Sequence, residues 1–294
     1  MKVSILIISK NRKEDLSFTL KRIKTLVDIS VHEVLVLLDG CNDNSEELVD
    51  EFNWVVWTVL EESIGASAAR HHLYPKAQGD FLIGLDDDAH PLASDFILQT
   101  MRLFDKNTNV GIIAFHEVKG IYQSDGEALL HSETKLEEYF TNEFIGCGFA
   151  IRKSVYMTTN GFPIWLDIYG EESCVSIEVL ANNYDILYTN SIKINHRVDR
   201  EQRRIKKQNY FRFGKQLKNS TYYFLVYYPF PLIAIIKMYW HNFKKYALTD
   251  FEYFKIFFRT IFIVLVHVPK ILKYRNPVDK LLIVKMRTLE KLKF

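Results

Sequence analysis

Cysteine is scarce in this chain: Cys41, Cys147 and Cys174 are the three among 294 residues. Odd in number and without closely spaced pairs, they support neither a disulfide framework nor a zinc site and read as free thiols. Nor is a secretory leader expected, because Met1-Lys2-Val3-Ser4-Ile5-Leu6-Ile7-Ile8-Ser9-Lys10 turns polar too soon and reads better as a first buried strand. A cytoplasmic start is therefore expected. No apolar run offers the roughly 18 to 20 clean residues that crossing a bilayer takes. The two best, Tyr222 to Ile236 and Ile256 to Val268, are broken by Pro229 and Pro231 and by Arg259. A glycine-rich phosphate loop is missing after the first strand, where Ser9-Lys10-Asn11-Arg12 stands instead.

What is present is ordinary globular material, 48% apolar and 25% charged, enough for one large domain or two unequal ones. Its net charge of +2 conceals an asymmetry. Residues 1–196 hold 16 Lys+Arg against 30 Asp+Glu and residues 197–294 hold 22 against 6, so the two parts carry −14 and +16. The basic part opens with Arg197, Arg200, Arg203, Arg204, Lys206 and Lys207 and continues in aromatic and aliphatic blocks. Those blocks interrupt its charges, and it has no groove-reading motif, which argues against nucleic acid as a partner. Apolar faces rich in aromatics and flanked by Lys and Arg suit helices lying in a membrane interface against anionic head groups. The competing reading is a helical subdomain packed against the rest.

From residue 3 to residue 116, β-rich runs alternate with helical patterns. Val3 to Ile8, Glu33 to Leu38, Trp54 to Leu60, Asp80 to Leu85 and Val110 to Phe115 are the predicted strands, and Leu16, Leu20, Ile23 and Val27 recur at helical spacing. This order predicts an α/β fold with a mainly parallel sheet flanked by helices. Asp39-Gly40-Cys41-Asn42-Asp43-Asn44-Ser45 predicts a turn and a helix from Glu46. Beyond residue 116, Gly120, Gly126 and the acidic stretch Glu133 to Glu143 suggest hairpins and a loop. A strand over Phe144 to Ile151, broken by Gly146 and Gly148, and a helix over Glu171 to Asn182 follow.

Asp86, Asp87 and Asp88 come directly after Phe81-Leu82-Ile83-Gly84-Leu85, which puts an acidic cluster at the carboxyl end of a strand. Open α/β sheets bind ligands there, and carboxylate oxygens suit a hard cation carrying phosphates. A solvated acidic turn is the bland alternative. The other predicted strands end in similar groups: Ser9-Lys10-Asn11-Arg12, then Asp39 and Asp43, then Glu62-Ser63-Ile64-Gly65-Ala66-Ser67-Ala68-Ala69-Arg70. This ordered series resembles the family-two glycosyltransferases of GT-A fold, with their Asn-Arg turn, Asp-rich loop, Gly-x-x-x-Ala-Arg segment and Asp-x-Asp motif. Downstream, Phe144-Ile145-Gly146-Cys147-Gly148 is similar to the family's acceptor-side glycine loop and Gly170-Glu171-Glu172 to its Gly-Glu-Asp segment. Asn195-His196-Arg197 falls where many members place a metal-binding histidine.

The resemblance covers residues 1–200 and implies a GT-A, Rossmann-like domain there, with 201–294 as a helical, basic and aromatic region. It implies an inverting, metal-dependent transfer from a nucleotide sugar. Asp88 is then the expected ligand of a divalent cation, Mn2+ or Mg2+, with Asp86 turned toward the metal, its water or the ribose, and His196 completing the site. Asp39 is placed to accept from the imide of uracil or thymine, which favours a UDP- or dTDP-linked donor, or else it braces its own turn. Arg70 would lie over the nucleotide or diphosphate as a fixed cation, with Ser9, Asn11 and Arg12 lining the base pocket. Glu172 takes the position of the general base, with Glu171 as neighbour or substitute. An isolated pair there would by default be a charge favoured by a helix start. Gly146, Cys147 and Gly148 are expected on the acceptor side.

Three departures from the family pattern stand out. Cys174 occupies a position that is commonly acidic, Glu178 one that is frequently basic, and His71-His72 replaces the common Asn-x-Gly. They leave open a degenerate, membrane-associated binding protein. A glycoside hydrolase would leave Asp39, Arg70 and Asp88 unexplained, and a sugar-phosphate nucleotidyltransferase would want the missing phosphate loop. The whole reads as an enzyme at the inner face of the cytoplasmic membrane, adding a sugar to a glycan or lipid-linked acceptor of a surface polysaccharide.

Overall fold

The computed structural model describes residues 2–132, 135–199 and 208–292. Strands β1 (Val3–Ser9), β2 (Glu33–Asp39), β3 (Val56–Leu60) and β4 (Phe81–Asp86) alternate with α1 (Lys13–Leu26), α2 (Leu48–Glu51) and α3 (Ala66–Leu73), and pair in parallel in the order β3-β2-β1-β4. Next come β5 (Ala89–Pro91), α4 (Phe96–Lys106), β6 (Val110–Lys119), α5 (Asp125–Leu130), β7 (Glu138–Thr141), β8 (Gly148–Arg152), α6 (Lys153–Tyr156), α7 (Glu171–Ala181) and β9 (Asp185–His196). They extend the sheet to nine strands, ordered β3-β2-β1-β4-β8-β6-β9-β5 with β7 also on β9. β9 runs parallel to β6, whereas β8, β5 and β7 join their neighbours antiparallel. The expected α/β architecture is thus what the sequence forms.

Side-chain alternation divides the core into two layers. Val3, Ile5 and Ile7 of β1 with Val34, Val36 and Leu38 of β2 face a cluster closed by Leu16, Leu20 and Ile23 of α1 and Phe96 and Phe104 of α4. Leu6, Leu35, Leu37 and Leu82 point the other way, onto Ala69 and Leu73 of α3 and Val175, Ile177 and Val179 of α7. Helices on both faces leave the strand ends between β1, β4 and β9 as the open rim, where a ligand can reach the sheet.

Several boundaries differ from those the sequence predicts. The strand expected over residues 144–151 is confined to β8, because residues 144–147 turn sharply into it. The helix expected from Glu46 shrinks to a 3₁₀ turn, Ser45–Glu47, and the single turn of α2. Residues 138–141 of the expected loop form an edge strand. β6 runs on to Lys119, four residues past its predicted end.

The carboxyl-terminal region forms α8 (Gln208–Tyr227), α9 (Pro231–Asn242), α10 (Phe251–Ile271) and α11 (Lys280–Thr288). Residues 200–207 of the basic opening lie outside the described residues. One side of this region is packed on the sheet layer: Tyr222, Leu225 and Val226 of α8, Val264 and Ile271 of α10 and Ile283 and Met286 of α11 share its core. No helix among the described residues is long and apolar enough to cross a membrane. Glu178, which stands where a basic residue is frequent in the family, is buried and accepts from Asn160 N (2.5 Å), Asn160 Nδ2 (3.1 Å) and Tyr227 Oη (2.6 Å), pinning α7 to α8. Removing the hydroxyl in Tyr227→Phe deletes a charge-assisted hydrogen bond and is expected to cost about 1.5–3 kcal/mol in denaturant unfolding.

Candidate active site

The acidic triplet owes its geometry to two strands consecutive in the chain. β4 ends at Asp86 and β5 begins at Ala89, so Asp87 and Asp88 form the tight link between them. Ala89 pairs with His196 of β9, which delivers Asp88 to the imidazole: Asp88 Oδ1 lies 3.2 Å from His196 Nε2. Asp88 Oδ2 takes Arg12 Nη2 at 2.7 Å. Burial opposes the charged form of Asp88, but His196 and Arg12 outweigh it and hold the carboxyl well below its ordinary range. Burial likewise opposes charge on His196, yet its interactions with Asp88, Cys147 and Glu117 raise its pKa to about 12. Asp87 turns inward instead, accepting from Ser9 Oγ at 2.7 Å, and burial pushes it up to about 7.

Asp86, Asp88 and His196 each present a ligand atom within 4.8 Å of the others. Asp88 Oδ1 is buried and has no hydrogen-bond donor in line with it, facing only His196 Nε2, so a cation bound there would take the place of the imidazolium proton between the two groups. Two carboxylates and an imidazole form a donor set that fits a divalent ion of the Mn2+ or Mg2+ class. The other imidazole nitrogen, Nδ1, is held 2.5 Å from Glu117 Oε1, which aims Nε2 at Asp88. Glu117 is the site residue that sequence reasoning missed. It lies on the part of β6 beyond Phe115, where a register shift lets residues 116–119 pair with the end of β9.

A second cluster surrounds Arg70, which α3 places under the strand ends. Its guanidinium is buried and reaches Glu171 Oε1 at 2.7 Å and Asp86 Oδ1 at 2.8 Å. Glu171 is itself buried, whereas Glu172 is half-buried beside Gly146. Burial raises the pKa of both carboxyls, with Arg70 opposing. A methyl at Gly146 would sit 2.7 Å from Glu172 Oε1 and 2.8 Å from Arg70 Nη2, so Gly146→Ala must displace both groups. Transfer is expected to fall about 10²-fold in steady-state assays.

The remaining predicted residues divide. Asp39 is buried with its carboxylate turned across to the loop that follows β3 rather than into its own turn, accepting from Ile64 N (2.7 Å), Gly65 N (3.1 Å) and Ser63 Oγ (2.6 Å). Asn11, at φ 54°, accepts from Asn42 N at 2.7 Å and so ties the first loop to the second. Cys147 is buried next to His196 and Gly148 opens β8 against Ile194. His71 is structural, with Nδ1 2.9 Å from the Phe162 carbonyl. A cleft of about 940 Å³ runs from Asn11, Arg12, Asp88 and Arg197 at the strand ends to Tyr169, Phe211 and Arg212 on the far side.

The family model described as glycosyl transferase family 2 matches residues 4–158. The chain belongs to glycosyl transferase family 2. The enzyme is 27% identical over 176 residues to an uncharacterized protein of Haemophilus influenzae, covering 55% of this chain and 92% of that one. Among solved structures it is similar to GalNAc-T7 with UDP, GalNAc and Mn2+ (18% identity, TM-score 0.57, 67% of this chain and 43% of that). It is also similar to S. aureus TarS 1–349 with UDP-GlcNAc (17%, 0.54, 68% and 60%). The mannosyltransferase PcManGT from Pyrobaculum calidifontis, in complex with GDP-Man and Mn2+, aligns over 99% of this chain and 76% of its own (14%, 0.58). The chain thus spans less than two thirds of the first two of these structures. The likenesses show a GT-A fold for this glycosyltransferase, with the site above at the rim that the fold leaves open.

Proposed function

We propose that this glycosyltransferase uses a nucleotide-sugar donor and a divalent cation, and transfers the sugar with inversion to a glycan or lipid-linked acceptor at an anionic membrane surface, in surface polysaccharide synthesis. The observation that carries the reading is the convergence of Asp86, Asp88 and His196 on one point, with Arg70 bridging from Asp86 to Glu171 beside Glu172. Asp86, Asp88 and His196 would hold the cation, which when bound neutralises charge on the departing diphosphate. Arg70 ties Asp86 to Glu171, and Glu172, beside Gly146, takes the proton of the acceptor hydroxyl. Asn11 and Arg12 line the donor end of the cleft and Tyr169, Phe211 and Arg212 its acceptor end, with the 144–148 loop placed on the acceptor side through Gly146 beside Glu172. Of the solved neighbours, GalNAc-T7 carries UDP, GalNAc and Mn2+ and PcManGT carries GDP-Man and Mn2+, so the base is left to experiment.

Calorimetric titration with UDP, dTDP, GDP and CMP, each with Mn2+ and with chelator, tests the core of the proposal. Metal-dependent binding of one nucleotide is expected. Folded protein that binds none of them would refute it in favour of a degenerate, scaffolding role.

In this reading residues 1–200 carry the chemistry and residues 201–294 the membrane contact. α9 exposes Leu232, Ile233, Ile236 and Trp240, and α10 exposes Phe251, Phe258, Phe262 and Leu265, each at helical spacing opposite the packed side. Lys237, Lys244, Lys255 and Arg259 accompany them. Trp240→Ser with Phe262→Ser is expected to reduce sedimentation with anionic vesicles by about tenfold or more, from lost apolar burial alone. An unchanged vesicle-bound fraction would sink the membrane part.

A further inference from the structure

The loop that leads into α7 is held from the carboxyl-terminal region, and we propose that Asn219 of α8 is a positioning residue for Glu172. This rests on Glu172 as the base. Tyr169 (φ +72°) and Gly170 (φ +97°) are successive left-handed residues immediately before Glu171 and Glu172. A tyrosine in that conformation is strained and persists only where its surroundings impose it. Asn219, 1% exposed, imposes it: Nδ2 donates to the carbonyls of Ile168 (2.7 Å) and Tyr169 (2.8 Å). Its own Oδ1 is buried without a partner among the described residues, so the side chain serves the loop rather than its own satisfaction.

Further contacts from the same helix act on the same loop. Asp167 Oδ2 accepts from Lys218 Nζ at 3.1 Å and from Lys215 Nζ, and the Arg212 guanidinium lies 5.1 Å from the Tyr169 ring centroid. From the opposite side, Ser67 of α3 donates through N to the Asp167 carbonyl (3.1 Å) and through Oγ to that of Pro163 (2.6 Å). One loop therefore ties the helix of Arg70 and the helix of Glu172 to α8. Phe213 and Leu217 of α8 share a core with Phe257 of α10, whose opposite face is the exposed apolar one. The seating of the carboxyl-terminal region is in this way linked to the aim of the base.

The test compares full-length wild type, Asn219→Ala and the double variant Lys215→Gln/Lys218→Gln. The Kd for the nucleoside diphosphate that wild type binds with Mn2+, kcat for turnover of the matching nucleotide sugar, thermal unfolding and amide hydrogen exchange over residues 163–172 are measured. Asn219→Ala should lower kcat by about tenfold or more while that Kd stays within about twofold, and exchange over 163–172 should rise. The lysine variant, which alters half-buried side chains, should lower kcat in the same direction with Tm preserved. Exchange unchanged over 163–172, or kcat within about twofold of wild type in folded Asn219→Ala, overturns the inference. If that variant does not fold, full kcat in the lysine variant overturns it. A wild type without nucleotide binding, or a fully active Glu172→Gln, would instead refute the proposed function, and the exchange measurement would still decide whether Asn219 holds the loop.

Discussion

Glu172→Gln is expected to lower transfer by about 10²- to 10⁴-fold while metal-dependent nucleotide binding is retained. Glutamine keeps the shape that fits against Gly146 but cannot accept a proton from the acceptor. Glu171→Gln should behave differently, because Glu171 is buried and paired with Arg70 at 2.7 Å. Its loss frees Arg70 and should impair binding and turnover together. Equal loss of turnover with intact binding in both variants would sink this division of roles. The pH profile gives a second check. Burial raises the pKa of Glu172, with Arg70 opposing, and the base works only when ionised. The rate should therefore fall as pH is lowered through an arm lying above the ordinary glutamate value of about 4.3, and Glu172→Gln should lack that arm.

The strand ends were legible because each carries a chemical group directly after an apolar run. Asp39, Arg70, Asp86, Asp88 and His196 all lie where buried β-strands or the helix after one reach the sheet's rim. The two clusters they form follow from strand pairing, Ile8 with Asp86 and Ala89 with His196, which sequence order suggests but does not state. Glu117 was illegible for a definite reason. The apolar run of β6 stops at Phe115, and only pairing with the distal half of β9 extends it to Lys119. Asn219 was equally hidden, since a polar residue within an aromatic helix gives no sign that it meets carbonyls some fifty positions earlier in the chain. The carboxyl-terminal region posed a choice between packing and membrane contact that composition alone could not make. Its helices do pack on one side, through Tyr222, Val226 and Val264, while their other side is exposed and apolar.

Asp88→Ala is expected to abolish metal-dependent nucleotide binding, so that calorimetric traces with Mn2+ and with chelator become the same. The argument lies in the placement of the triplet's three carboxylates. Asp86 is engaged by Arg70, and Asp87 is turned onto Ser9 with a pKa raised by burial to about 7. Asp88 alone among them is buried, strongly acidic and left with an oxygen lacking an aligned donor next to His196 Nε2. Asp87→Asn should therefore keep the metal dependence that Asp88→Ala loses. Glu117→Gln weakens the partner that orients His196, and should lower metal affinity by about 10- to 100-fold without abolishing it. If Asp87→Asn erased the metal dependence and Asp88→Ala spared it, the cation would have to bind one residue earlier, on the side of Ser9. His196, which β9 delivers to Asp88 and not to Asp87, would then have no part in holding it.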